Sequence, residues 1–252
     1  MCARIGTLPS PGTHPLTERR GRPVGRAGVH RGPAAMEREL AGIRQLVVLM
    51  GEEADRAITR SVCGLVDRDI EVCAGVISQS YRLHGLQREL RRLCITTVLE
   101  RHPAERGMRE AVALLHMAAE LERIGDHCAA IARIGHELVR LPEPGADLGL
   151  TRMAEFCSER AREVVAAVYE RDRHRAAALA VRDDRLERVC RELLEELAES
   201  VAAEPAQAAH ATRVLAVARL LERIADRVVV IAEDLVLVDA GAVEVRTCTA
   251  IL

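Results

Sequence analysis

The chain has 252 residues, a formal net charge of -2 and 49% hydrophobic residues, which suits one large or two smaller globular domains. It contains one Phe, two Tyr and no Trp, so it lacks the aromatic platforms on which single-stranded nucleic acids stack, and no nucleic-acid partner is expected. No apolar run reaches the roughly 18 residues that cross a bilayer, because Glu233 and Asp234 interrupt "VVVIAEDLVLV", so direct membrane insertion is not expected either.

Residues 1–35 open the chain as a predicted disordered basic tail. The stretch holds five of the nine prolines and six arginines, and it shows no apolar periodicity that could bury surface. From residue 36 onwards the apolar residues recur at helical spacing, and the pattern predicts helices over 37–66, 69–101 and 104–141. These three helices make up the first predicted domain, residues 36–141.

The stretch "LPEPGADLG" at 141–149 is the only linker rich in helix breakers, and a second domain is predicted over 149–241. Its predicted helices cover 150–171, 173–203 and 206–238, and residues 242–252 form a predicted C-terminal tail. Eight cysteines are scattered singly without a CxxC pair. This usage is typical of a reducing compartment and predicts a cytoplasmic protein.

The two domains repeat one sequence. "LERIGDHCAAIA" from Leu121 and "LERIADRVVVIA" from Leu221 share seven of twelve residues, and each lies in an apolar helical seam. The seams are Leu114, Met117, Leu121, Ile124, Cys128 and Ile131, and Val217, Leu221, Ile224, Val228, Ile231 and Leu235. No alternating run suggests a sheet. The predicted fold is therefore all-α, with two tandem three-helix bundles built from six long helices.

Each repeat carries an acidic pair, Glu122 with Asp126 and Glu222 with Asp226. Residues four apart lie on one helix face, so each pair sets two like charges about 6 Å apart at their Cβ atoms. Carboxylate oxygens in this arrangement suit a divalent metal or iron, with Fe, Mn, Mg or Zn as candidates and water completing the shell. From the residues alone, a solvated charged face is the commoner explanation of such pairs.

Other polar residues offer less. His84, His116 and His127 lie on predicted helices without an obvious partner set, and no Glu has His three residues later, as ferritin-like di-metal bundles require. No catalytic motif is found, so the sequence predicts no catalytic or cofactor-binding residue and no enzyme. Two alternatives stay open: a carboxylate metal-binding bundle that acts in storage or as an oxidoreductase, and a plain helical scaffold.

From Met36 to about Gly241, the sequence resembles the PhoU family of phosphate-signalling proteins. "MERELAGIRQLVVLMGEEADRAI" is similar to the family's opening helix, and "ARLLERIADRVVVIAEDLVLVDAG" is similar to the closing helix of its second repeat. The resemblance implies a pair of three-helix bundles and a negative regulator of phosphate uptake and phosphate-starvation signalling. The implied partners are the ATPase subunit of the phosphate importer and a membrane sensor histidine kinase, and a homodimer is expected.

The resemblance also implies metal binding by Glu122, Asp126, Glu222 and Asp226. The first copy departs from the family pattern, because Gly107-Met108-Arg109 stands where Asp-Leu-Arg is usual. Ser80 stands where an Asp is common, while Asp183 is kept at the matching place in the second copy. The first copy is therefore expected to hold metal less well than the second.

Overall fold

The computed structural model describes residues 33–101, 103–139, 148–181 and 183–239. Within these ranges every regular element is a helix, which confirms the predicted all-α fold of two tandem helical bundles. No helix there combines the length and the apolar character that a membrane span requires. The predicted tails at 1–35 and 242–252 lie outside the described residues, apart from 33–35, which belong to the first helix.

The first bundle consists of α1 (Pro33–Val66), α2 (Ile70–Arg101) and α3 (Glu105–Leu138). Between α1 and α2 the chain turns at Arg68, whose φ of 55° lies in the left-handed region. Its guanidinium donates to the carbonyl oxygens of Leu138 and Val139, both at 2.9 Å, and so satisfies the end of α3. Asp69 then accepts from the backbone N–H of Val72 at 3.0 Å and caps α2.

The second bundle consists of α4 (Leu148–Glu170), α5 (Arg173–Leu179), α6 (Asp184–Ala203), a single 3₁₀ turn (Pro205–Gln207) and α7 (Ala208–Asp239). The turn after α4 repeats the turn after α1. Arg171 has a φ of 58°, and Asp172 accepts from the backbone N–H groups of His174 and Arg175 at 3.0 Å. The duplication seen in the sequence therefore extends to the capping chemistry.

One predicted helix is divided in the structure. The stretch 173–203 was expected to be continuous, but it forms α5 and α6 with a break after Leu179. Asp183 is extended, with φ -113° and ψ 118°, and caps α6 by accepting from the N–H of Arg185 at 2.9 Å. On the other side of the break, Arg160 of α4 donates to the carbonyl oxygens of Leu179 and Val181. The prediction of one helix was wrong because a neighbouring helix supplies the hydrogen bonds that end α5.

The core follows the predicted seams. All six seam residues of α3 are at most 3% exposed, and five of the six on α7 are at most 1% exposed, with Leu235 at 8%. These side chains join one continuous hydrophobic core with residues from α1 and α4. The helical periodicity of the sequence therefore identifies the buried faces of both closing helices.

The two bundles pack through α3 on α7 and through α1 on α4, which leaves α2 and α6 as the outer helices. Arg109 near the start of α3 donates to the carbonyl oxygen of Val238 near the end of α7, while Glu137 near the end of α3 accepts from Arg213. α3 and α7 are therefore antiparallel.

A buried ion pair adds a second link between the bundles. Glu110 of α3 accepts two hydrogen bonds from Arg171, at 2.6 and 2.7 Å, and another from Arg44 of α1. Burial acts to raise the pKa of Glu110, but the bonds from Arg171 and Arg44 outweigh it, so the pKa is lowered. The carboxylate therefore stays charged and holds α4 to α1 and α3.

Candidate functional site

The acidic pair of the first bundle faces α2. The side chains of Glu122 and Asp126 are 28% and 54% exposed, so both can reach solvent. His84 of α2 lies beside them, with its Nε2 at 2.9 Å from Oδ1 of Asp126 and 3.7 Å from Oε1 of Glu122. Sequence reasoning assigned His84 no partner set, and the structure corrects this: His84 is the neighbour of both carboxylates.

The acidic pair of the second bundle lies in a groove of about 270 Å³ between α4, α6 and α7. Glu222 and Asp226 share this groove with Asp183, which caps α6, and with Glu187 of α6. Arg219, one turn before Glu222, donates to its Oε2 at 2.7 Å. The second pair therefore has more carboxylates around it than the first, and two of these carboxylates, Glu222 and Asp183, are each paired with an arginine.

Two neighbours of the second pair have shifted pKa values. Burial, followed by the hydrogen bond with Glu222, raises the pKa of the Cys190 thiol to about 11. This thiol stays protonated near neutral pH, and since metals bind the thiolate, Cys190 is a poor ligand. The hydrogen bond from Arg185 lowers the pKa of Asp183, so that carboxylate stays charged.

The structure does not join the two acidic pairs into one site, because the first faces α2 and the second faces α6. Across the described ranges, no group of three or more His, Cys, Asp or Glu side chains is arranged to hold a metal ion. Each pair offers two carboxylates on adjacent turns of one helix. Such a pair can bind a hard cation that keeps most of its water, as Mg²⁺ does in proteins.

A second polar cluster, which the sequence reasoning missed, lies where α3 packs on α7. Glu120 is only 1% exposed and accepts from Arg123 at 2.5 Å and from Arg227 at 3.1 Å. Nδ1 of His116 lies 2.7 Å from Oδ2 of Asp234, so this histidine also has a carboxylate partner that was not expected. The spacing of His116, Glu120 and Arg123 on one helix face was a usable signal, but Asp234 joins them only through the antiparallel packing.

Burial shifts the pKa values of two residues here, Asp234 and His127. It raises the pKa of Asp234 to about 6, against the opposing effect of His116 and with a further contribution from Glu120. At His127, burial and then the charges of Arg227 and Arg223 lower the pKa. Arg123 donates to Glu120 rather than to Glu122, so it does not neutralise the acidic pair.

Comparison with known proteins gives a consistent result. The family model described as "PhoU domain" matches the chain twice, over residues 47–135 and 150–235. A protein of Rhizobium meliloti named "Phosphate-specific transport system accessory protein PhoU homolog" is 28% identical over 216 residues, which cover 83% of this chain and 89% of the relative. A protein of the same name from Caulobacter vibrioides is 29% identical over 196 residues, covering 77% of this chain and 85% of the relative.

Two solved structures share the fold. The crystal structure of PhoU from Pseudomonas aeruginosa superposes with a TM-score of 0.77 at 23% identity, covering 82% of this chain and 99% of that one. The phosphate transport system regulatory protein PhoU from Streptococcus pneumoniae gives a TM-score of 0.73 at 21% identity, covering 82% of this chain and 98% of that one. Because the family model accounts for most of the chain in two copies that coincide with the two bundles, the chain belongs to the PhoU family.

Proposed function

We propose that this protein is a negative regulator of phosphate uptake and phosphate-starvation signalling, and that it acts by binding other proteins rather than by catalysis. The observation that carries the proposal is the match of both bundles to the PhoU domain, together with relatives named as accessory proteins of phosphate-specific transport. The partners would be the ATPase subunit of the phosphate importer and the cytoplasmic part of a sensor histidine kinase. The free thiols of all six described cysteines fit a cytoplasmic location.

The outward face of α2 supports a protein contact. Tyr81, Ile95 and Leu99 are 68%, 47% and 65% exposed and lie along one line of the helix, on which the exposed Arg88 and Arg92 lie between Tyr81 and Ile95. In the second bundle, the places 103 residues later on α6 are taken by Asp184, Ala198 and Ala202. Exposed apolar side chains interspersed with arginines, on one repeat but not on the other, are typical of a contact surface. We assign it to the ATPase subunit.

The experiment measures binding of the purified chain to the purified ATPase subunit and, separately, to the cytoplasmic part of the kinase. Ile95→Ser with Leu99→Ser should weaken ATPase binding about tenfold or more, since buried apolar anchors carry much of the energy of such contacts. Ala198→Ser with Ala202→Ser is the matched control and should bind normally. Absence of binding to both partners would overturn the proposal, and sedimentation of the same samples tests the proposed homodimer.

We also propose that the acidic pairs bind a divalent metal ion or iron, with Glu222 and Asp226 the stronger pair and Glu122 and Asp126 the weaker. The second groove supports this order because its four carboxylates outnumber the two arginines that line it, Arg160 and Arg219, whereas His84 lies beside the first pair. Asp and Glu oxygens would hold Mg²⁺, Mn²⁺, Fe or Zn with water completing the shell, and a cation in the groove would have to displace Arg219 from Glu222.

Metal content measured after equilibration with Mn²⁺ tests this role. Glu222→Ala with Asp226→Ala should remove most of the bound metal and leave the helicity unchanged. Glu195→Ala with Glu199→Ala removes an equally spaced, exposed pair from α6 and should leave the metal content as it was. Equal metal in both double variants and the wild type would show that the acidic pairs are only surface charge.

A further inference from the structure

The duplicated motif has basic positions as well as acidic ones, and the structure brings the basic positions together. In "LERIGDH" they are Arg123 and His127, and in "LERIADR" they are Arg223 and Arg227. α3 and α7 are antiparallel, and their register is set by the contacts of His116 with Asp234 and of Glu137 with Arg213. In this register, position 123 lies opposite position 227, and position 127 lies opposite position 223. The acidic pairs face the outer helices, while the basic positions lie where α3 packs on α7.

Glu120 forms the base of this basic cluster. It is nearly inaccessible to solvent and accepts hydrogen bonds from Arg123 and Arg227, so it fixes two of the three guanidinium groups in place. His116 also lies 3.6 Å from Glu120 but is paired with Asp234. Glu120 is the carboxylate bonded to Arg123 and Arg227, so two guanidinium groups share one negative charge and Arg223 adds a third positive charge on the next turn of α7.

The cluster also has donors that the protein does not use. Arg223 is exposed and forms neither a hydrogen bond nor an ion pair with any residue in the described ranges. The Nε–H of Arg227 is shielded from solvent and lacks an acceptor among the same residues. A shielded N–H without an acceptor is costly, so an acceptor from outside the chain would complete the arrangement.

We propose that Arg123, Arg223 and Arg227 bind a small, multiply charged oxyanion of the inorganic phosphate class at the seam between α3 and α7. Guanidinium groups present several N–H donors in a plane, and this geometry matches the oxygens of phosphate better than an ammonium group does. The side chain of Arg123 is more than half exposed, so an ion can enter from solvent. This inference uses only these residues and holds whether or not the chain regulates phosphate uptake.

Calorimetric titration of the full chain with potassium phosphate, against potassium chloride at equal ionic strength, tests the site. Phosphate should bind saturably, and Arg223→Gln should weaken it about tenfold to hundredfold, the loss expected for one hydrogen-bonded charge pair. Because Arg223 makes no described contact, the variant should fold normally. Arg133→Gln, which removes an exposed arginine of the same α3 helix away from the cluster, is the matched control and should bind like the wild type.

The same titration can overturn the proposal. An absence of saturable phosphate binding would do so, and so would equal weakening by Arg223→Gln and Arg133→Gln, which would reduce the effect to general surface charge. Arg223→Lys adds a check on geometry: it keeps the charge but loses the planar donors, and it should bind phosphate more weakly than the wild type.

Discussion

The polar residues of one seven-residue motif serve different purposes in the structure. Glu122 and Asp126 lie beside His84, Glu222 and Asp226 line a groove, and the basic positions meet between α3 and α7. Helical periodicity separates the acidic from the basic face of each helix, so this division could be predicted. The partners could not, because His84 and Asp234 are distant in sequence from the carboxylate or histidine that each contacts.

Asp234 gives a prediction about pH. Its raised pKa means that protonation favours the folded state, so the stability it contributes is fully present below about pH 4 and is lost as the pH rises through about 6. Asp234→Asn cannot ionise and avoids this loss. We therefore compare the free energy of unfolding of Asp234→Asn with that of the wild type at each pH. Between pH 4 and pH 7.5 this difference should change in favour of the variant by at most about 3 kcal/mol.

Urea unfolding of both proteins at several pH values measures this difference. Glu199→Gln, on the exposed side of α6, serves as the control for removing a carboxylate from the surface. A stability difference between Asp234→Asn and the wild type that does not change with pH would contradict the assignment of a raised pKa to Asp234.

At the scale of the elements, the sequence predicts the helices well because their apolar seams are regular and their ends carry Asp or Pro. The break between α5 and α6 escapes prediction because "RHRAAALA" is rich in good helix formers. α5 ends where Arg160 of α4 donates hydrogen bonds to the carbonyl oxygens of Leu179 and Val181. This contact joins segments that are distant in sequence. At this point, tertiary hydrogen bonds override the local helix propensity of the sequence.

Close helix packing gives a prediction at the same scale. A Cβ atom at Gly135 of α3 would lie 3.1 Å from the Cα of Leu65 and 2.9 Å from the Sγ of Cys73, so Gly135→Ala must push α3 away from α1 and α2. The expected loss in the free energy of unfolding is about 1–3 kcal/mol. Gly42→Ala is the matched control, since nothing lies within 4 Å of its Cβ position, and it should gain up to about 1 kcal/mol from helix propensity.

Chemical denaturation of the two alanine variants measures both effects. If Gly135→Ala were as stable as Gly42→Ala, the close contact of α3 with α1 and α2 would be contradicted.

For the whole molecule, the internal repeat predicts two like bundles, and the structure confirms them. The packing of one bundle on the other could not be predicted from the sequence, because the contacts between them join residues that are distant in the chain. Arg171 and Glu110 are 61 positions apart, and His116 and Asp234 are 118 positions apart. The outer faces also differ: α2 exposes Tyr81, Ile95 and Leu99, and α6, within its described residues, exposes no large hydrophobic side chain. The two repeats therefore share a fold but differ in the surfaces of their outer helices.

The most direct test of the central proposal is made in cells, with a reporter of the phosphate-starvation response measured in phosphate-rich medium. We expect deletion of the gene to switch the reporter on despite ample phosphate, and re-expression of the wild-type chain to switch it off. A reporter that remains off in phosphate-rich medium without the chain would contradict a role in negative regulation.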